Sequence, residues 1–211
     1  MSPGGTGRDW VEIVATALLA VATVATAWSA YQANRWNGEQ AKATSRANAA
    51  RIESTRASGV ANRQIQIDVA LFTQFIDAFA REETELADFY RARFRDEFKP
   101  AFEAWAATRP RTNPKAPLTP FELPQYRLAA NAEAEQLQAS AEENAAEART
   151  NIQRSSNYVL AVVLFASALF FAGISTKVTS PWARVAVVGL GCALFLGTLV
   201  WVATSPISVS V

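Results

Sequence analysis

Glu82, Glu83 and Glu97 are the side chains in the polar middle of this chain whose type suits proton transfer. A carboxylate works as a general acid or base when its surroundings move its pKa toward the working pH. Charged groups on a helix are more often plain solvated surface, and the usual catalytic companions are missing. The 211-residue chain has no histidine and a single cysteine, Cys192, which falls in an apolar stretch. That excludes a His-based triad, a Cys/His zinc site, a disulfide framework and a thiol nucleophile in the polar region. The expectation is therefore a protein that is not an enzyme, with no catalytic, cofactor-binding or metal-binding residues and no cofactor.

A second chemistry is open to residues near the N-terminus. Thr16, Thr23, Thr26 and Ser29 interrupt an otherwise apolar segment, with Asp9 and Glu12 just ahead of it. In an oligomer, rings of Asp9 and Glu12 would form a cation-attracting mouth, and Thr16, Thr23 and Thr26 would face a pore. Nothing ionisable lies deep in any apolar stretch, however, and an intramembrane charge is the usual mark of an ion or proton route.

These residues belong to a chain built around three apolar stretches, Ile13 to Tyr31, Tyr158 to Ser175 and Ala183 to Ala203. Each is about long enough to cross a ~30 Å hydrocarbon slab as a helix. Half the chain is apolar, but the polar residues are segregated: positions 35–156 hold 17 of the 20 Lys and Arg and 17 of the 19 Asp and Glu. The expected organisation is an all-α membrane protein with three transmembrane helices and a long, coiled-coil-like helical hairpin between the first and second. In detail, a flexible lead covers 1–10 and the first span 11–34. A soluble helical hairpin follows over 35–156, with a Pro-rich loop at 109–124. The second and third spans cover 157–176 and 182–204, and a C-terminal tail covers 205–211. Small residues around Ala25 to Ala30 would suit a signal-peptide cleavage site, but one Arg and two acids in the lead argue against a positive n-region. Trp10 and Trp36 stand about 39 Å apart along a helix, close to the spacing of the two interfacial belts.

The hairpin's arms carry opposite charge. Six bases against two acids between Arg35 and Ile67 give +4, and six acids against Arg127 between Glu122 and Glu147 give −5. Opposite charge favours side-by-side packing, although exposed pairs are each worth little. Helix formers run from Trp36 to Pro100, where the proline is expected to kink or end the helix. Within this run Ile65, Val69, Phe72, Ile76 and Phe79 recur at alternating four and three, and Leu86 and Tyr90 continue the pattern with Glu83 at one position, a seam suited to a hairpin core or to an interface between chains. Phe94, Phe98, Phe102 and Trp105 form a second row. The loop's later half (Leu118, Phe121, Leu123) is expected to pack back onto the helices, and its prolines suit a partner's groove. Helix resumes at Gln125 with a small-residue row at Leu128, Ala132, Ala139 and Ala146.

In the membrane, Ala168 and Ala172 in the second span and Gly189, Ala193 and Gly197 in the third recur every four residues. Small residues at that spacing let helices touch in lipid. Within about 20 residues of the membrane, the side with the excursion has Arg35, Lys42, Arg46, Arg51, Arg149 and Arg154, against Arg8, Lys177 and Arg184 on the other. That count favours a cytoplasmic excursion. Arg35 to Arg51 also suit anionic lipid headgroups, whereas a nucleic-acid role is disfavoured because the basic arm is matched by an acidic one.

The stretch Phe89-Tyr-Arg-Ala-Arg-Phe-Arg-Asp-Glu-Phe-Lys-Pro-Ala-Phe-Glu-Ala-Trp105, with Asn113-Pro114, Thr119-Pro120-Phe121 and Trp28-Ser-Ala-Tyr-Gln32, resembles a group of uncharacterised bacterial membrane proteins with the same three-span layout. The resemblance implies a bacterial inner membrane and brings no functional residues with it. The composite expectation is a self-associating membrane protein, a homo-oligomer with an interaction or scaffold role. The alternative is an oligomeric ion channel, or its accessory subunit, lined by the first span.

Overall fold

The computed structural model describes residues 6–208, which are helical apart from turns and connecting loops. Helix α1 runs over Thr6–Ala80, α2 over Thr84–Arg91, α3 over Lys99–Ala107, α4 over Ala129–Ser175 and α5 over Pro181–Ala203, with a 3-10 turn at Pro120–Glu122. Helix α1 already begins at Thr6, inside the stretch expected as a lead. Among the described residues, three helices (α1, α4 and α5) are long and apolar enough to cross a membrane. The chain divides into two compact units: one takes residues up to Ser45 and from Asn144 on, the other Arg46–Glu143.

The first unit is a three-helix bundle. Leu18, Ala22, Ala161, Phe165, Ala168, Ala172 and Phe195 form its core, with Phe165 and Phe195 at 5.5 Å between ring centroids. Helix α1 contributes Leu18 and Ala22 to this core, and along it Ala15, Ala22, Ser29, Trp36 and Ala43 are buried, one residue in seven. That is the period at which one stripe of a helix keeps facing a neighbour. Helix α5 packs tightly at Gly191, where a Cβ would stand 3.3 Å from the Ala168 carbonyl oxygen and 3.3 Å from the Phe171 Cβ. Ser180 is its N-cap and Pro181 opens it, a position where the missing N–H has no helical acceptor. Outward, the bundle presents Ile13, Val24, Phe170, Leu196 and Val200, an apolar exterior suited to hydrocarbon rather than water.

The second unit is organised by aromatic rings. Phe72 and Phe75 on α1 meet Phe94, Phe98, Phe102 and Trp105 in one cluster, completed by Phe121 and Tyr126. Most pairs cross edge to face: Phe72 with Trp105 at 5.2 Å, Phe75 with Phe102 at 5.0 Å, Phe94 with Phe98 at 5.0 Å. Such pairs add roughly 0.5–1.5 kcal/mol each beyond area burial. The Trp105 indole donates to the Pro117 carbonyl at 2.9 Å and so ties down the Pro-rich segment. Phe121 and Leu123 pack onto the cluster, while Leu118 is 85% exposed. A smaller contact joins Ala61 of α1 to Leu128 and Ala130, and the Ser54 hydroxyl donates to the Ala134 carbonyl at 2.9 Å.

The expected continuous helix from Trp36 to Pro100 breaks twice. At Arg81–Glu83 the chain turns in a Schellman arrangement: Glu83 N–H donates to the Ala78 carbonyl at 3.0 Å and Glu82 N–H to the Phe79 carbonyl at 3.2 Å. Glu82 has the left-handed conformation this requires, φ 64°, with no glycine to supply it. Composition gave no stop signal there, so the break was not legible. Pro100, expected to end a helix, lies instead in the first turn of α3, where its fixed φ and absent donor cost nothing. Helix α4 starts at Ala129 rather than Gln125.

Candidate functional site

Two polar constellations stand out, one in each unit. In the second unit, Asp68 is fully buried on α1, and its Oδ2 accepts from Arg95 Nη1 at 2.9 Å and from the Tyr126 hydroxyl at 3.0 Å. Oδ1 is buried without a hydrogen-bond partner. Burial pushes the Asp68 carboxyl above its ordinary pKa, against the opposing pull of Tyr126 and Arg95, and the Tyr126 phenol is pushed up by burial and then by Asp68. Arg95 reaches Glu97 through its second terminal nitrogen. Glu97 Oε1 accepts from the Ala129 N–H at 2.9 Å, a carboxylate at the positive end of α4.

All three carboxylates with apparent acid–base potential thus occupy structural positions. Glu82 forms the left-handed turn, Glu83 is the N-cap of α2 and Glu97 anchors the start of α4. Among the described residues, no group of three or more His, Cys, Asp or Glu is placed to hold a metal ion.

Beside the aromatic cluster lies a cavity of 840 Å³, between the last turns of α1, helix α3 and residues 109–112. Phe75, Phe79, Phe102 and Trp105 supply its apolar wall, and Arg91, Arg109 and Arg111 its charge. The Arg91 guanidinium stands 5.7 Å from the Phe102 ring centre, and that of Arg111 5.4 Å from Phe79. Arg109 follows α3 with φ 53°. It takes the left-handed place, just past the C-cap Thr108 of α3, where glycine or asparagine is usual.

In the first unit the polar groups gather where α1 and α4 meet the tail after α5. The Pro206 carbonyl accepts from Trp36 Nε1 at 3.3 Å and from the Tyr158 hydroxyl at 3.1 Å. Gln32 Oε1 accepts from the Ser208 N–H at 3.0 Å, and the Ser155 hydroxyl donates to the Ala33 carbonyl at 3.0 Å. The Arg154 guanidinium lies 4.6 Å from the Trp36 ring centre. Ser29 Oγ and Gln32 Nε2 are buried without a hydrogen-bond partner. Trp36, expected as an interfacial anchor, is buried in this clasp, while Trp28 and Tyr31 are exposed beside each other at 5.9 Å.

The residues singled out from the sequence distribute unevenly over these features. Of the seam, Phe72 is in the aromatic core, Ile76 and Tyr90 pack partly against it, and Ile65 packs partly against Ala61 and Leu128. Val69, Phe79 and Leu86 are exposed, so the seam as drawn is not the buried face. That face is offset and runs Ala47, Ser54, Ala61, Asp68 and Phe75, again one residue in seven. On α4 the small residues facing inward are Ala134 and Ala141, not Ala132 and Ala139, which are exposed as Ala146 is in the first unit.

Ala168 and Ala172 are fully buried in the bundle core, as their spacing suggested. Gly189, Ala193 and Gly197 face outward, and a Cβ added at either glycine would meet nothing within 4 Å. The close approach falls to Gly191 because α5 turns that face to Ala168. Of the pore candidates, the Asp9 side chain lies outside the described residues. Glu12, Thr16 and Thr23 are exposed and Thr26 is half-buried. The three threonine hydroxyls donate to carbonyls one turn back on α1, at 2.7–2.8 Å. Glu12 stands 3.8 Å from Arg184.

The clasp residues Gln32, Ser155 and Tyr158 were missed, although amides and hydroxyls at the edge of apolar spans are a readable sign of interhelical bonding. The arginine-lined cavity had no such sign, since its walls come from segments far apart in the chain. No protein-family model, curated protein or solved structure matches the chain.

Proposed function

We propose that this is a non-enzymatic, multi-pass inner-membrane protein that associates with copies of itself and presents residues 46–143 as a helical interaction module. The observation that carries this reading is the second small-residue face of α5. Gly191 is used within the bundle, while Gly189, Ala193 and Gly197 form an open row with no neighbour at either glycine. In lipid, where apolar surface alone gives helices little reason to associate, such a row is the feature that lets another helix come close. The one-in-seven recurrence of buried positions on α1 supports a coiled-coil-like character for the hairpin. Flanking charge supports a cytoplasmic module, and Arg35 to Arg51 supply bases for anionic headgroups near the membrane.

Crosslinking in native membranes tests the proposal. A discrete homo-oligomer is expected, and Gly189→Leu combined with Gly197→Leu should convert it to monomer. A wild-type protein that stays strictly monomeric would refute it.

The exposure of Thr16 and Thr23 on α1 favours one second reading, an oligomeric channel or channel subunit with these residues toward a shared pore. Reconstituted protein that carries ion flux lost in Thr16→Val with Thr23→Val would establish it, and silence across voltage and pH would remove it.

A further inference from the structure

We propose that the cavity between the end of α1, helix α3 and residues 109–112 binds a small amphipathic carboxylate: a flat or chain-like apolar body bearing one acidic group. The volume, 840 Å³, falls within the range that encloses most of a drug-sized ligand. The wall is made of the rings of Phe79, Phe102 and Trp105, which suit an apolar body by stacking or edge contact.

The charge is what selects the ligand class. Arg91, Arg109 and Arg111 line the cavity against one acid, Glu103. Among the described residues no carboxylate lies within ion-pair distance of those three guanidinium groups. Elsewhere in this unit Arg56 pairs with Glu53 at 3.8 Å, Arg81 with Asp77 at 3.0 Å and Arg95 with Asp68 and Glu97, while Arg93 and Arg127 reach backbone carbonyls; what sets Arg91, Arg109 and Arg111 apart is that they gather at one cavity. Unneutralised arginines beside apolar rings complement an anion with a hydrophobic body. The planar guanidinium also receives a carboxylate in two parallel hydrogen bonds, which an ammonium cannot do. Arg91 and Arg111 each lie over a ring, 5.7 and 5.4 Å from its centre. The left-handed backbone at Arg109 carries a steric cost for a side chain other than glycine. A glycine there would relieve that cost and remove a cation from the rim, so the strain accompanies the charge.

The proposal is independent of self-association and is tested separately. Full-length protein in lipid discs is titrated calorimetrically with naphthalene-2-carboxylate. Neutral 2-naphthylmethanol and cationic 2-naphthylmethylammonium give the same ring without the acid, and empty discs account for partition into lipid. The carboxylate is expected to bind at least tenfold tighter than either control. Arg91→Gln with Arg111→Gln should weaken the carboxylate by tenfold or more and leave the alcohol unchanged. Phe79→Ala should weaken both. Arg111→Lys should recover only part of the loss, since the charge remains without the fork. Carboxylate binding no tighter than the alcohol, binding in the wild type that survives the double arginine variant, or no binding above empty discs would each overturn the proposal. Near-ultraviolet circular dichroism of each variant checks that the aromatic cluster is intact. Should the double variant lose it, Arg109→Gln, on the loop alone, takes its place with the same expected direction.

Discussion

Asp68 is a charged group at a core position, and its partners decide whether it can remain there. Taking a carboxylate out of water costs several kcal/mol unless hydrogen bonds replace the lost solvation. Arg95 and Tyr126 supply two such bonds to one oxygen and leave the other without a partner, which is why burial prevails and the folded-state pKa lies above the ordinary value. A raised carboxyl pKa means that the native protein holds more protons than the unfolded chain just above pH ~4. The stability linked to Asp68 is therefore fully present below that pH and falls as pH rises through the folded-state pKa. Tyr126→Phe removes one bond to the charged form and should cost about 1.5–3 kcal/mol at pH 7. The cost should shrink on acidification, since a protonated Asp68 relies less on the phenol. Urea unfolding of the full chain in lipid discs, followed by the near-ultraviolet signal of the aromatic cluster at pH 7 and at pH 4, measures both. An equal loss at the two pH values would mean that the phenol acts only by packing.

At the scale of helices, α5 offers two glycine faces, and substitution separates them. Gly191→Leu must push a side chain into the Ala168 carbonyl and the Phe171 side chain, both 3.3 Å from where its Cβ would begin. Overpacking of this kind typically costs about 1–3 kcal/mol. Gly189→Leu and Gly197→Leu enter open space, and their effect should be confined to association between copies. Protease resistance of the bundle in detergent should fall for Gly191→Leu alone. A loss at Gly189→Leu instead would exchange the roles of the two faces. The spans themselves were legible, because about 20 apolar residues in a polar chain have few other solutions. Which face of each helix turns inward was less so. Large apolar residues drew the seam through Val69, Ile76 and Phe79, but α1 buries Ala47, Ser54 and Ala61. In an alanine-rich helix small apolar residues occur on every side, as at Ala47, Ala49 and Ala50, so hydrophobic contrast does not mark the buried stripe. Only the seven-residue recurrence does, and that is visible once the neighbouring helix is known. The aromatic row Phe94, Phe98, Phe102 and Trp105 was readable because large rings contrast with the charges around them. The cavity was not, since it needs the turn at Glu82 and the left-handed Arg109 to bring its walls together.

For the molecule as a whole, the decisive question is how often the chain crosses the bilayer. Three crossings put residues 35–156 on one face and the turn at 176–180 on the other, whichever way the protein is inserted. If α4 did not cross, both would lie on one side. The native thiol, Cys192, lies within α5 and is only partly accessible, so a Cys192→Ser background clears the chain for new reporters. Leu118→Cys and Thr179→Cys both stand on exposed positions in loops. With a membrane-impermeant maleimide, a cytoplasmic module predicts that Thr179→Cys labels in intact spheroplasts and Leu118→Cys only after lysis. The opposite pattern would keep the crossing by α4 and invert the orientation drawn from Arg35, Lys42, Arg46 and Arg51. Labelling of both from the same side would remove the crossing by α4. The consequence of that result would fall on α4, whose exposed Val159, Leu160, Val163 and Phe170 would then need a protein partner rather than lipid to cover them.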